Sequence, residues 1–148
     1  MIGSLRVFIL AFVAMGTILV STQGCAESTE NVTRPDMETL AQLTLNLEAL
    51  RNFYHADKLP ERIPLIVISN HLTGTSLKLE QFGKSVVFMD KKRAQESKKA
   101  YLEFTQVEIH GDHAVIQFVY PVEGIAGTVS FNKSEQGWRV EKTSIVER

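Results

Sequence analysis

The chain has 148 residues, with 16 Lys+Arg against 17 Asp+Glu, one cysteine, one tryptophan and 44% apolar side chains. That length and apolar content suit one domain with a single core. Near-neutral charge speaks against a nucleic-acid binder, which usually carries a strongly basic domain. A lone cysteine excludes an internal disulfide and a multi-cysteine zinc site.

Residues 1–24 have the order of an export signal. The amino terminus and Arg6 make a positive start, and residues 7–20 are a run of 14 mostly apolar side chains. As a helix that run would rise about 21 Å, short of the roughly 30 Å hydrocarbon core, so a cleaved signal is expected rather than a membrane span. Ser21, Thr22, Gln23 and Gly24 follow, and then the only cysteine, Cys25. Behind its apolar stretch, Thr22-Gln23-Gly24-Cys25 resembles the lipobox of bacterial lipoproteins, an aliphatic-small-small-Cys run cut just before the cysteine. Gly24 and Cys25 match that pattern; Thr22 and Gln23 depart from it. The resemblance implies cleavage after Gly24 and acylation of Cys25, palmitate-type chains then holding the protein on a membrane. Ala26 stands where an aspartate is associated with inner-membrane retention. The resemblance therefore implies an outer-membrane, periplasm-facing address in a Gram-negative cell.

Loss of residues 1–24 removes one charge, Arg6, and leaves 15 basic and 17 acidic residues. Residues 25–35 then form the lipidated cysteine and a short polar tether, and 36–148 a single domain. Near Thr33 a helix is expected to begin, with Asp36 three residues on as a capping-box partner and Pro35 in the first turn. Met37, Leu40, Leu43, Leu47, Leu50 and Tyr54 follow at steps of three and four, widened by Leu45 and Phe53. This stripe predicts one amphipathic helix running to about Asp57, with Glu38, Gln42, Asn46 and Arg51 turned away from the core.

After Pro60 the pattern changes. Residues 63–69 are apolar and β-branched with Pro64 near their start, which predicts a strand at a sheet edge. Residues 70–75 read as a turn; Leu77 and Leu79 alternate with Lys78 and Glu80, and Gly83 precedes a second apolar run at 86–89. Residues 91–99 carry five positive charges and one negative and predict an exposed turn or short helix. From Tyr101 alternating strands follow one another: 101–109, a turn at Gly111-Asp112, a return through Tyr120, a bend or bulge between Gly124 and Gly127, a strand to Asn132, and a last one from Trp138. The expectation is an α+β domain, an N-terminal amphipathic helix packed on a curved antiparallel sheet that ends in a four-stranded meander.

Three segments carry a further resemblance: Tyr101-Leu102-Glu103-Phe104, the stretch from Tyr120 through Pro121 and Glu123 to Gly127, and Gly137-Trp138-Arg139-Val140. Behind one long helix, this meander resembles the cystatin-like and nuclear-transport-factor-2-like architecture. The resemblance implies a concave sheet face used as a pocket by enzymes, ligand binders or association modules. The enzymes of that group place an Asp–His pair there, and no such pair maps onto this sequence.

Candidate chemistry is sparse. His110-Gly111-Asp112-His113 gathers two of the four histidines with a carboxylate, and a metal would need three or four converging ligands. A solvated turn accounts for those residues, and no metal or cofactor is expected. His55 and His71 stand alone in sequence. Glu123, beside two glycines at the mouth of the bent sheet, is a candidate general base or a group that satisfies backbone N–H at a bulge. Residues 26–61 hold seven acids and three bases, so the basic run at 91–99 faces an acidic N-terminal third and could rest on anionic lipid or an acidic partner. No phosphate-binding glycine loop, nucleophile elbow or His-Glu-x-x-His occurs. These features point to a cell-envelope lipoprotein with a non-catalytic binding or assembly domain. Its partner would be an envelope protein or a small hydrophobic ligand, not a nucleic acid. The alternative is a small envelope hydrolase or isomerase using Glu123 or the pair His110 and His113.

Overall fold

The computed structural model describes residues 33–148. The expected signal, Cys25 and residues 26–32 lie outside the described residues. Helix α1 (Arg34–Leu45) buries Met37, Leu40, Ala41, Thr44 and Leu45. Thr44 sits among apolar groups without penalty because its hydroxyl donates to the Leu40 carbonyl at 2.8 Å. The helix starts two residues before the expected domain boundary at 36 and does not run on to Asp57. Asn46 caps it, Leu47 is extended (ψ 127°), and α2 (Glu48–Tyr54) begins afresh. The apolar spacing survives this break: Leu47, Leu50 and Tyr54 still reach the core. The carbonyl of Leu45, left free at the helix end, accepts from the Tyr54 hydroxyl at 3.2 Å and the Gln81 amide at 2.9 Å.

Strands β1 (Ile66–Ile68), β4 (Val87–Met89), β5 (Tyr101–His110), β6 (His113–Tyr120), β7 (Ile125–Ser134) and β8 (Gly137–Glu147) form one sheet in the order β4-β1-β5-β6-β7-β8. From β5 onward it is the antiparallel meander read from the alternation. β1 corrects two expectations. It is interior rather than an edge, and both its neighbours run parallel to it. Pro64 does not forbid this, because it precedes the paired residues. Ile66, Val67 and Ile68 are all buried, the continuous apolar run of a strand covered on both faces. Val67 belongs to the main core on the inner face; Ile66 and Ile68 lie outside that cluster, on the outer face. Helix α3 (Lys91–Glu96) covers them, carrying the chain from β4 across β1 to β5 with Ala94 fully buried. A two-stranded hairpin, β2 (Glu80–Gln81) with β3 (Lys84–Ser85), completes the α+β fold.

Of the bend or bulge expected between Gly124 and Gly127, the structure has a bend, and it lies just ahead of them. Residues Pro121–Glu123 make a single 3-10 turn ended by Gly124 in the left-handed region (φ 65°). The ladder irregularities lie elsewhere, between Phe104 and Gln106 and between Ser130 and Phe131. At the first, Asn70 takes up the Phe104 carbonyl through its amide at 2.8 Å. On the inner face Phe104, Phe118, Tyr120 and Phe131 fill the core, and Gly127 sits opposite Phe118 because a Cβ there would fall inside the ring.

Asp36 ties α1 to the meander. Its carboxylate accepts from the Thr33 hydroxyl at 2.6 Å, from the only tryptophan, Trp138, at 2.6 Å, and from the Lys133 ammonium at 2.9 Å. Those donors hold the carboxyl at about 2, below its ordinary 3.8. A depressed carboxyl stabilises the fold above its unfolded value and loses that contribution as pH falls toward 2. We therefore expect stability to decline between pH 4 and 2 by on the order of 2 kcal/mol from this group. Asp36→Asn should abolish that part of the decline and shift the Trp138 fluorescence, measured by denaturant titration at each pH.

Candidate functional site

A recess of about 810 Å³ lies between α1 and the chain from Leu77 to Val86. Its wall depends on a match of repeats. Arg34 donates to the Ser76 carbonyl, Glu38 accepts the Lys78 N–H at 2.8 Å, and Gln42 brackets Glu80, accepting its N–H at 3.0 Å and donating to its carbonyl at 2.8 Å. Four helical residues rise about 6 Å and two extended residues about 6.6 Å, so side chains at i, i+4 and i+8 meet every second residue of an adjacent extended chain. The same alternation sends Leu77, Leu79 and Gln81 into the core. Glu38 and Gln42, expected to face solvent, therefore serve as the hydrogen-bonding edge of this segment. Nothing in the helical period separates that role from a solvated face. The spacing of Arg34, Glu38 and Gln42 against alternate residues of 76–80 is the signal that could have found it.

At the far end of the helical layer, Glu123 is half-buried. Its carboxylate lies 2.5 Å from Arg62 Nη1 and 3.5 Å from His55 Nε2. Arg62, in a 3-10 turn (Pro60–Arg62), also donates to the carbonyls of Phe53 and Tyr54 at 3.3 and 3.4 Å, closing the end of α2. His55 ends that helix in the left-handed conformation (φ 49°) and lines a cleft of about 610 Å³ with Arg51, Asn52, Asp57 and Phe82. Beneath the group, Tyr54 stacks edge-on against Tyr120 at 5.6 Å. Burial raises both phenols above their ordinary value, so each stays a neutral hydroxyl. The Tyr120 hydroxyl is buried with no hydrogen-bond partner among the described residues, although the nearby Arg62 favours its ionised form against the stronger effect of burial.

The structure thus gives Glu123 a histidine partner that the sequence did not pair with it. The other candidates stay apart. His110 and His113 face each other across an exposed two-residue turn, with His113 Nε2 3.2 Å from Asp112 Oδ1. No group of three or more His, Cys, Asp or Glu that could hold a metal occurs among the described residues. His71 lines a smaller recess of about 320 Å³ with Arg34, Met37, Leu77 and Val107. No helix among the described residues is long and apolar enough to cross a membrane. The chain matches no protein-family model, and comparison with curated proteins and solved structures finds no match.

Gln42→Ala should unprotect the Glu80 amide. Hydrogen exchange is expected to quicken at Lys78 and Glu80 while global stability falls by about 1 kcal/mol, the net value of a lost hydrogen bond. Unchanged exchange at Glu80 would remove Gln42 from the wall.

Proposed function

We propose that this chain is an exported bacterial lipoprotein. Acyl chains on Cys25 hold it on a membrane, the outer one facing the periplasm in a Gram-negative cell. Residues 36–148 present a non-catalytic binding or assembly domain of cystatin-like type, with its N-terminal helix against a curved sheet. The observation that carries the non-catalytic reading is the closed ion pair of Glu123 with Arg62 at 2.5 Å. A carboxylate held by a guanidinium is a poor general base, because its lone pairs are already occupied in accepting hydrogen bonds. The aromatic filling of the inner sheet face by Phe104, Phe118, Tyr120 and Phe131 supports the same reading. The recess between α1 and residues 77–86 is the surface offered to a partner protein or small ligand. Cys25→Ser is expected to release the protein from membranes and to abolish labelling by a fatty-acid analogue. Unchanged fractionation of that variant, with no label on the natural chain, overturns the lipoprotein reading.

A second reading rests on the contact between His55 and Glu123. In a small envelope hydrolase or isomerase, Arg62 would fix Glu123, Glu123 would orient the imidazole, and His55 would exchange protons with a substrate in the 610 Å³ cleft. The two readings separate on His55→Ala and Glu123→Gln. A non-catalytic domain retains its cellular phenotype in both wherever circular dichroism shows the fold intact. Loss of phenotype in folded variants decides for the enzyme.

A further inference from the structure

The basic run at 91–99 has no role in the reading above, and the fold puts it in a particular place. Helix α3 lies on the outer face of the sheet, opposite α1, with only Ala94 turned into the protein. Every other residue from Lys91 to Lys99 is exposed. Neighbouring acids absorb little of the charge. Lys91 is held by Glu103 at 2.8 Å, Lys92 stands 3.9 Å from Glu96, and Asp90 is occupied in capping the helix through the Arg93 N–H at 2.9 Å. Arg93, Lys98 and Lys99 have no ion-pair partner among the described residues. Beside this helix runs the edge strand β4. Val87 pairs with Ile66 and Met89 with Ile68, so both share the outer face with α3; Val87 is 38% exposed and Met89 half-buried. One surface therefore combines free cations with the exposed Val87 and half-buried Met89, whereas Asp36, Glu38 and Glu48 lie on the helical layer.

We infer that α3 and the outer face of β4 form a surface that rests on anionic lipid head groups; this rests on the membrane-anchored reading above. The cations neutralise head-group charge at close range, and Val87 and Met89 enter the boundary between head groups and acyl chains. Cationic side chains alone bind such a surface weakly and are screened by salt. On a chain already held at the membrane, the same contacts need only orient the domain, turning α3 toward the bilayer and α1 with its recess away from it.

The test uses the full chain coupled through Cys25, its only cysteine, to a maleimide-bearing lipid, so that its outcome does not depend on acylation, which fatty-acid labelling reads separately. The chain is mixed with phosphatidylcholine vesicles containing or lacking phosphatidylglycerol, and an amine-reactive reagent is read out by mass spectrometry. Lys92, Lys98 and Lys99 are expected to label about threefold or more slowly on the anionic vesicles. Lys58 and Lys78, exposed on the helical layer, serve as internal controls and keep their rates. High salt should remove the protection, and Arg93→Gln with Lys98→Gln and Lys99→Gln should remove it at Lys92. Equal labelling on both vesicles, or protection that survives high salt, overturns the inference. Equal protection by soluble polyglutamate also overturns it and puts an acidic protein in the place of the membrane.

Discussion

The parallel pairing of β1 with both its neighbours is the constraint on which the rest of the domain depends. Parallel strands cannot be joined by a tight turn; the chain must travel back between them. It does so twice around β1, once on each side of the sheet. On the inner side residues 70–86 return from the end of β1 to the start of β4, and their leg from Ser76 to Gln81 lies along α1. On the outer side α3 crosses from β4 to β5 and closes over Ile66 and Ile68. The recess beside α1 and the basic face of α3 are both products of these crossings.

The inner crossing shows how a backbone segment can be satisfied without a neighbouring strand. Its N–H and C=O groups are paired by Glu38 and Gln42, side chains whose spacing on the helix matches the repeat of the extended chain. At the other end of the layer Arg62 has a comparable role, closing the carbonyls of α2 and holding Glu123. The two ends of the helical layer are thus pinned by polar groups, while its middle rests on Phe104, Phe118 and Phe131.

The sheet edges are unequal, and each is guarded. β4 has only three residues, which offers little ladder to another chain. β8 has 11 but carries Arg139, Glu141, Lys142 and Glu147, with a register irregularity opposite Ser130 and Phe131. Charges of both signs and a broken ladder oppose edge-to-edge association. These devices leave faces and recesses, rather than an exposed edge, as the surfaces through which the domain meets other molecules.

Much of the fold is legible in the sequence. The strands from Tyr101 onward, the turn at Gly111-Asp112 and the apolar stripe of α1 all follow from local period, because alternation and 3.6-residue spacing are properties of neighbouring residues, and the charge of 91–99 marks it as an exposed turn or short helix. The break at Asn46 escaped because Leu47, Leu50 and Tyr54 keep the spacing of a continuous helix. β1 was misplaced at an edge because a proline before a strand and a proline within it look alike in sequence. His55 and Glu123 are 68 positions apart in the chain, so nothing local could pair them. By itself the sequence determined which segments are helical or extended, which side chains are apolar, and where the charge is concentrated. Only the tertiary structure decided the parallel order around β1, the clamp on residues 76–80 and the closed pairing of Glu123, since each depends on contacts between segments distant in the chain.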